Sequence, residues 1–105
     1  MEQDDYVTPV VFRAERTKDA EVTAVFPCEP ADYQGHTMSC YVHVGQHGSC
    51  GYAWYNKTRW ARPAEYASLK AELEGLGYKL KVYRRIQPFM RKALDAEVRR
   101  LAKRA

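Results

Sequence analysis

A chain of 105 residues has the length of one ordinary domain, and its 46% of hydrophobic residues suffice for a core without metals or disulfides. The charged fraction of 29% is typical of a globular protein, and the apolar runs are too short to span a membrane. The acidic start lacks the pattern of a secretory signal, and three cysteines do not suggest a disulfide framework. We therefore expect a soluble cytoplasmic protein that does not bind membranes.

Charge is distributed unevenly along the chain. Residues 1–78 contain 7 Lys and Arg against 11 Asp and Glu, whereas residues 79–105 contain 10 against 2. Such a separation governs the choice of partner more than it governs the fold. It predicts that the basic C-terminus meets a partner of acidic character, either a protein or a nucleic acid.

The first half of the chain predicts three β-strands joined by polar loops, after a flexible N-terminus at residues 1–5. The strand segments are rich in β-branched and aromatic residues, whereas the loops contain Pro, Gly and charged residues. The strands are expected at Tyr6–Ala14, Glu21–Pro27 and Thr37–Val44. Because Pro9 cannot donate a hydrogen bond to a neighbouring strand, the first strand should lie at a sheet edge or begin late.

The second half predicts a short strand, a helix, a strand and a second helix. The aromatic run Gly51–Tyr55 suits a short strand. Pro63 and Gly77 suit the two ends of a helix whose apolar residues recur at helical spacing. The alternation in Tyr78–Ile86 predicts a half-buried strand with a basic outer face. The second helix begins at Pro88, and its narrow apolar stripe consists of Met90, Leu94, Val98 and Leu101.

This order of elements predicts an α+β fold. We expect a sheet of three to five strands, antiparallel or mixed, with one packed helix and an added amphipathic helix at the C-terminus. The α+β domain should span residues 6–86, and the basic helix residues 87–105.

Three segments together resemble a known family. They are YVHVGQH at Tyr41–His47, RPAEY at Arg62–Tyr66 and LEGLGY at Leu73–Tyr78. The family consists of short uncharacterised proteins scattered through bacterial genomes, plasmids and phages. The resemblance covers Val10 to about Arg84, and it implies an accessory or mobile-element setting without an established activity. The pair Ser49–Cys50 departs from the small residues of the family at this position.

The histidines and cysteines in this region raise two catalytic alternatives. Cys40, His43, His47 and Cys50 have side chains that suit zinc, but their spacing matches no standard zinc motif. In an extended strand Cys40 and His43 point to opposite faces, and only a sharp turn at Gly45 would bring the two imidazoles together. A cysteine nucleophile with a histidine base is the other alternative. The interpretation that competes with both gives the histidines hydrogen-bonding roles and the cysteines a place in the core. No cofactor is expected.

Aromatic and basic residues alternate in the following segment, between Tyr52 and Arg62. Aromatic faces stack on bases while basic groups contact phosphates, so this pattern suits single-stranded nucleic acid. It also suits a protein interface, and a third interpretation places the tryptophans in the core. The predicted binding residues are His43, His47, Tyr55, Lys57, Arg59, Trp60, Lys81, Arg85, Arg99 and Arg100.

These observations favour a non-enzymatic macromolecule-binding protein. Nucleic-acid binding and a small zinc- or cysteine-dependent enzyme are the alternatives. The stripe of the terminal helix could pack on its own sheet, or on a second copy to give a homo-oligomer.

Overall fold

The structure, a computed structural model, describes residues 6–17, 19–32, 34–43 and 46–104. These residues form six strands and three helices, which confirms the α+β class. The predicted flexible segment at residues 1–5 lies outside the described residues. The elements are β1 (Thr8–Ala14), β2 (Val22–Pro30), β3 (Thr37–Val42), β4 (Gln46–Gly51), α1 (Tyr52–Asn56), β5 (Arg59–Trp60), α2 (Pro63–Gly75), β6 (Leu80–Tyr83) and α3 (Pro88–Arg104).

The strands form one sheet in the order β4-β3-β2-β1-β5, and β6 also pairs with β1. Neighbouring strands are antiparallel except for β1 and β6, which run parallel. The short strands β5 and β6 share the outer edge of β1: β6 pairs with its first half and β5 with its end. The mixed sheet therefore has one strand more than the predicted upper limit.

Of the two alternatives predicted from Pro9, the edge position is wrong, because β1 has neighbours on both sides. The antiparallel ladder between β1 and β2 runs from Val11 to Ala14, so Pro9 lies before it begins. On the other side, Thr8 donates its N–H to the carbonyl oxygen of Lys79 at 2.7 Å. Pro9 thus lies in the central strand ahead of the ladder between β1 and β2, so its missing N–H removes no bond from that ladder.

Each face of the sheet is covered by a helix. On the face that we call the α2 face, Phe12, Phe26 and Tyr41 pack against Leu69 and Leu73 of α2. On the opposite face, the α3 face, residues such as Val11, Val25 and Met38 pack against Leu94 of α3. The terminal helix therefore contributes directly to the core. Its apolar stripe packs on the sheet of its own chain, where Met90 and Leu94 have no exposed surface.

The aromatic run differs most from its prediction. Tyr52–Asn56 forms the short helix α1, and the strand lies just before it, at Gln46–Gly51. Gln46–Gly51 is polar and glycine-containing, but it pairs with β3 along its whole length in an antiparallel register. Tyr52, Trp54 and Tyr55 then pack on the α3 face, so burial of aromatic surface overrides their strand propensity. Among the described helices, none has the length and apolar character needed to cross a membrane.

Candidate functional site

Three arginines and a tryptophan line a cleft at the outer edge of β1. Its volume is about 370 Å³, and its walls are Arg13, Trp60, Arg84 and Arg85. Arg13 lies on β1 directly opposite Trp60 of β5, while Arg84 and Arg85 follow β6. β6 pairs with the first half of β1 and β5 with its end, so the turn after β6 comes next to β5 beside Arg13. The shared edge therefore assembles residues from three distant segments.

Arg13 is held in place by neutral oxygen atoms. Its guanidinium donates to Thr58 Oγ1 at 2.8 Å, to the Thr58 carbonyl oxygen at 2.6 Å and to the Tyr55 carbonyl oxygen at 3.3 Å. It also lies 4.2 Å from the centre of the Tyr55 ring. Partial burial, and secondarily the charge of Arg16, lower the pKa of Arg13 from its usual value. Arg13 is thus a fixed cation whose hydrogen-bond partners leave its charge uncompensated.

The other two arginines lie next to Trp60. The Arg84 guanidinium stacks on the indole at 4.3 Å from the ring centre, and Arg85 is exposed. The indole N–H of Trp60 is buried and has no hydrogen-bond partner among the described residues. Within the same residues, no carboxylate forms an ion pair with Arg13, Arg84 or Arg85. The cleft is therefore cationic.

The predicted binding residues fall into several groups, and only Trp60 and Arg85 line this cleft. Lys57 lines a neighbouring cleft of about 280 Å³ together with Trp54 and Arg16. Tyr55, a predicted binding residue, is 8% exposed, so it supports Arg13 from the core and offers little surface to a partner. Sequence reasoning missed Arg13 and Arg84 as cleft residues. One feature of the sequence did mark Arg13: it is the charged residue within an apolar strand, between Phe12 and Ala14.

Four further predicted residues lie away from the cleft. Arg59 binds Glu65 through two hydrogen bonds of 2.8 and 2.7 Å, and this pairing is the main cause of a Glu65 pKa of about 2. Lys81 lies over the Tyr83 ring at 5.6 Å. Arg99 and Arg100 line a separate surface of α3, where Arg100 pairs with Glu97. The basic residues therefore do not form one continuous patch.

His43 belongs to a polar network on the α2 face. Its Nδ1 lies 2.6 Å from Glu72 Oε1, its Nε2 lies 3.0 Å from Ser68 Oγ, and the Tyr41 hydroxyl donates to the other Glu72 oxygen. The order Ser–His–Glu matches a hydrolytic triad. Ser68, however, lies inside α2, where the helical ladder uses its backbone N–H instead of leaving it for an oxyanion. We therefore interpret the network as a connection between β3 and α2.

His47, the second predicted histidine, lies on β4 directly opposite Tyr41. Its ring contacts the Tyr41 ring at 4.8 Å in an edge-to-face arrangement.

The candidate zinc ligands separate across the sheet. Cys40 and Cys50 belong to the α3 face, whereas His43 contacts α2 on the opposite face. No group of three or more potential ligands occurs among the residues that the structure describes. The same separation removes His43 as a base for Cys40, and it confirms that these two side chains point to opposite faces.

Comparison with known proteins adds no assignment. No family model matches the chain, and no match is found among curated proteins or solved structures. The resemblance to the small bacterial and phage proteins stays a prediction.

Proposed function

We propose that this chain is a non-enzymatic binding protein for single-stranded nucleic acid, with the arginine cleft as its anion-binding centre. The observation that carries the proposal is the meeting of three guanidinium groups and an indole without a paired carboxylate among the described residues. Arginine recognises phosphate through parallel hydrogen bonds. A cationic concavity of this composition is therefore suited to a phosphodiester.

The dimensions and rings of the cleft favour a single strand over a duplex. A volume of about 370 Å³ lies within the range typical of small-ligand sites and accommodates a nucleotide-sized group. A flexible single strand can place one phosphate and its base in such a concavity, whereas the bases of a duplex are already stacked on each other. The plane formed by Arg84 on Trp60 offers a surface on which a base can stack.

A second basic and aromatic concavity continues the proposed path. Trp54, Lys57, Arg16 and Thr58 line it together with one carboxylate, Glu15. Thr58 connects the two clefts, because its oxygen atoms accept the hydrogen bonds of Arg13 from the first cleft. A nucleic-acid strand that leaves the arginine cleft on the side of Thr58 meets the ammonium group of Lys57 and the indole of Trp54. The two clefts together therefore suit several successive nucleotides.

The test measures binding of a fluorescein-labelled oligothymidylate and an oligouridylate by anisotropy at several salt concentrations. We expect the logarithm of the association constant to fall linearly with the logarithm of salt, by about 0.7 per phosphate contacted. The double variant Arg84→Gln/Arg85→Gln should weaken binding and reduce the slope by roughly 1.4, since two phosphate contacts are lost.

The matched control is Lys70→Gln/Lys79→Gln, which removes the same charge from positions that do not line the cleft. It should change the slope by much less. Equal effects of the two double variants would show that only net charge matters, and absence of binding to either oligonucleotide would refute the proposal. A pull-down from lysate that persists after nuclease treatment and depends on Arg84 and Arg85 would instead indicate an acidic protein.

We further propose a cytoplasmic location and an accessory role linked to mobile elements. The accessory role rests on the sequence resemblance, and the location rests on the odd number of cysteines, which does not suggest a disulfide framework.

A further inference from the structure

A pair of cysteines lies on the α3 face, away from the residues of the arginine cleft. Cys40 on β3 and Cys50 on β4 are diagonal neighbours, because Cys40 is opposite Gly48 and Cys50 is opposite Met38. Both side chains belong to one packed cluster on this face, and Gly48, the residue opposite Cys40, borders the Cys40 sulfur. The two thiols are thus held together by the pairing of adjacent strands.

The two sulfur atoms differ in exposure and in proton affinity. The neighbouring Cys50 thiol, and secondarily the Gly48 backbone, lower the pKa of Cys40 from its usual value, which favours the thiolate. Contact with Cys40 and burial raise the pKa of Cys50, which favours its thiol form. Cys40 is half-buried whereas Cys50 is 7% exposed. The first thiol therefore has the properties of an attacking group, and the second those of a resolving group.

The surroundings leave room for reaction at Cys40. A side chain at position 48 would begin 3.7 Å from the Cys40 sulfur, so a glycine there keeps that side of the sulfur uncovered. Among the described strands, β4 lies at the edge of the sheet and pairs with β3 alone. Diagonal neighbours are farther apart than the pairs that disulfides usually join, so the bond requires β4 to shift, which an edge strand with one neighbour allows more easily than a central strand.

We propose that Cys40 and Cys50 form a redox-active dithiol that hydroperoxides oxidise reversibly to a disulfide. The Cys40 thiolate attacks the hydroperoxide, the O–O bond breaks, and the leaving oxygen takes a proton to give an alcohol or water. The resulting sulfenic acid is attacked by the Cys50 sulfur; the S–O bond breaks, and the Cys50 proton leaves with hydroxide as water. Two thiols and one hydroperoxide thus give a disulfide, an alcohol or water, and one further water. A thiol reductant restores the pair by disulfide exchange.

The test uses the reduced full-length chain treated with a small excess of hydrogen peroxide. Intact mass should fall by about 2 Da, and thiol titration after denaturation should fall from three groups to one, because a disulfide loses two hydrogens. Dithiothreitol should reverse both changes. Three surviving thiols, or an oxidised product that is exclusively a dimer, would overturn the proposal.

Variants assign the roles. Cys50→Ser should stop at a Cys40 sulfenic acid, detected as a dimedone adduct, and Cys40→Ser should abolish the intramolecular disulfide. Cys28→Ser is the matched control and should oxidise as the wild type does, because burial raises the pKa of the Cys28 thiol. Iodoacetamide should alkylate Cys40 at least several-fold faster than Cys28 at pH 7. Faster labelling of Cys28, or a disulfide that persists in Cys40→Ser, would contradict the assignment.

Discussion

Replacement of Leu94 by alanine tests whether the terminal helix belongs to the core. Leu94 is fully buried on the α3 face, in a cluster that includes Val11, Val25 and Met38. A buried Leu→Ala replacement costs about 2–5 kcal/mol through lost transfer energy and a residual cavity. We expect a loss of about 3 kcal/mol in the free energy of unfolding, because the sheet beneath Leu94 cannot collapse into the space. For a chain of this size that loss corresponds to a decrease of roughly 12–24 °C in Tm.

The assay is urea unfolding, followed by tryptophan fluorescence and by circular dichroism. Fluorescence reports on the same cluster, since Trp54 packs against it. The control is Lys92→Ala on the exposed side of α3, which should change the free energy of unfolding by no more than about 0.5 kcal/mol. If Leu94→Ala stays within about 1 kcal/mol of the wild type, α3 does not pack on the sheet and the reasoning fails.

Three further predictions concern the polar contacts of the structure. The pKa of Glu65 is about 2 in the folded chain, so its ionised form stabilises the fold at pH values above its unfolded-state pKa. This contribution disappears as the pH falls toward 2. In thermal unfolding, Glu65→Gln should therefore lack that part of the acid dependence. Arg13→Lys cannot reproduce the three hydrogen bonds to neutral oxygen atoms, so urea unfolding should show a loss of about 1–3 kcal/mol, and no loss would contradict this role. A double-mutant cycle between His43→Ala and Glu72→Gln should give a coupling below about 1 kcal/mol, because the histidine is half-exposed; a larger value would show that the network is a principal contributor to stability.

Local patterns predicted the elements whose periodicity and end signals agree. The helix from Pro63 was predicted from its stripe and its ends; Leu69 and Leu73 are buried, and Gly77 has the expected positive φ of 107°. Leu76 has the same helical spacing but is 60% exposed, because it lies after the end of α2. The spacing of apolar residues thus predicts that a helix is present, but it does not predict which apolar residue near the helix end is buried.

The candidate site was only partly predictable for a related reason. Trp60 and Arg85 stand out in the sequence as an aromatic and a basic residue in suitable company. Arg13 lies in a strand of apolar residues, and nothing local indicates that it meets Trp60. The diagonal contact of Cys40 and Cys50 likewise depends on the register between β3 and β4.

The sequence by itself determined the α+β class, the helices that begin at Pro63 and Pro88, and the separation of charge, because each is encoded by residues close together in the chain. Tertiary structure decided the pairing of β5 and β6 with one edge of β1, the helical form of the aromatic run, and the assembly of the cleft. These features depend on contacts between distant segments, whose energies are set by burial and strand register and leave no periodic signal in the chain.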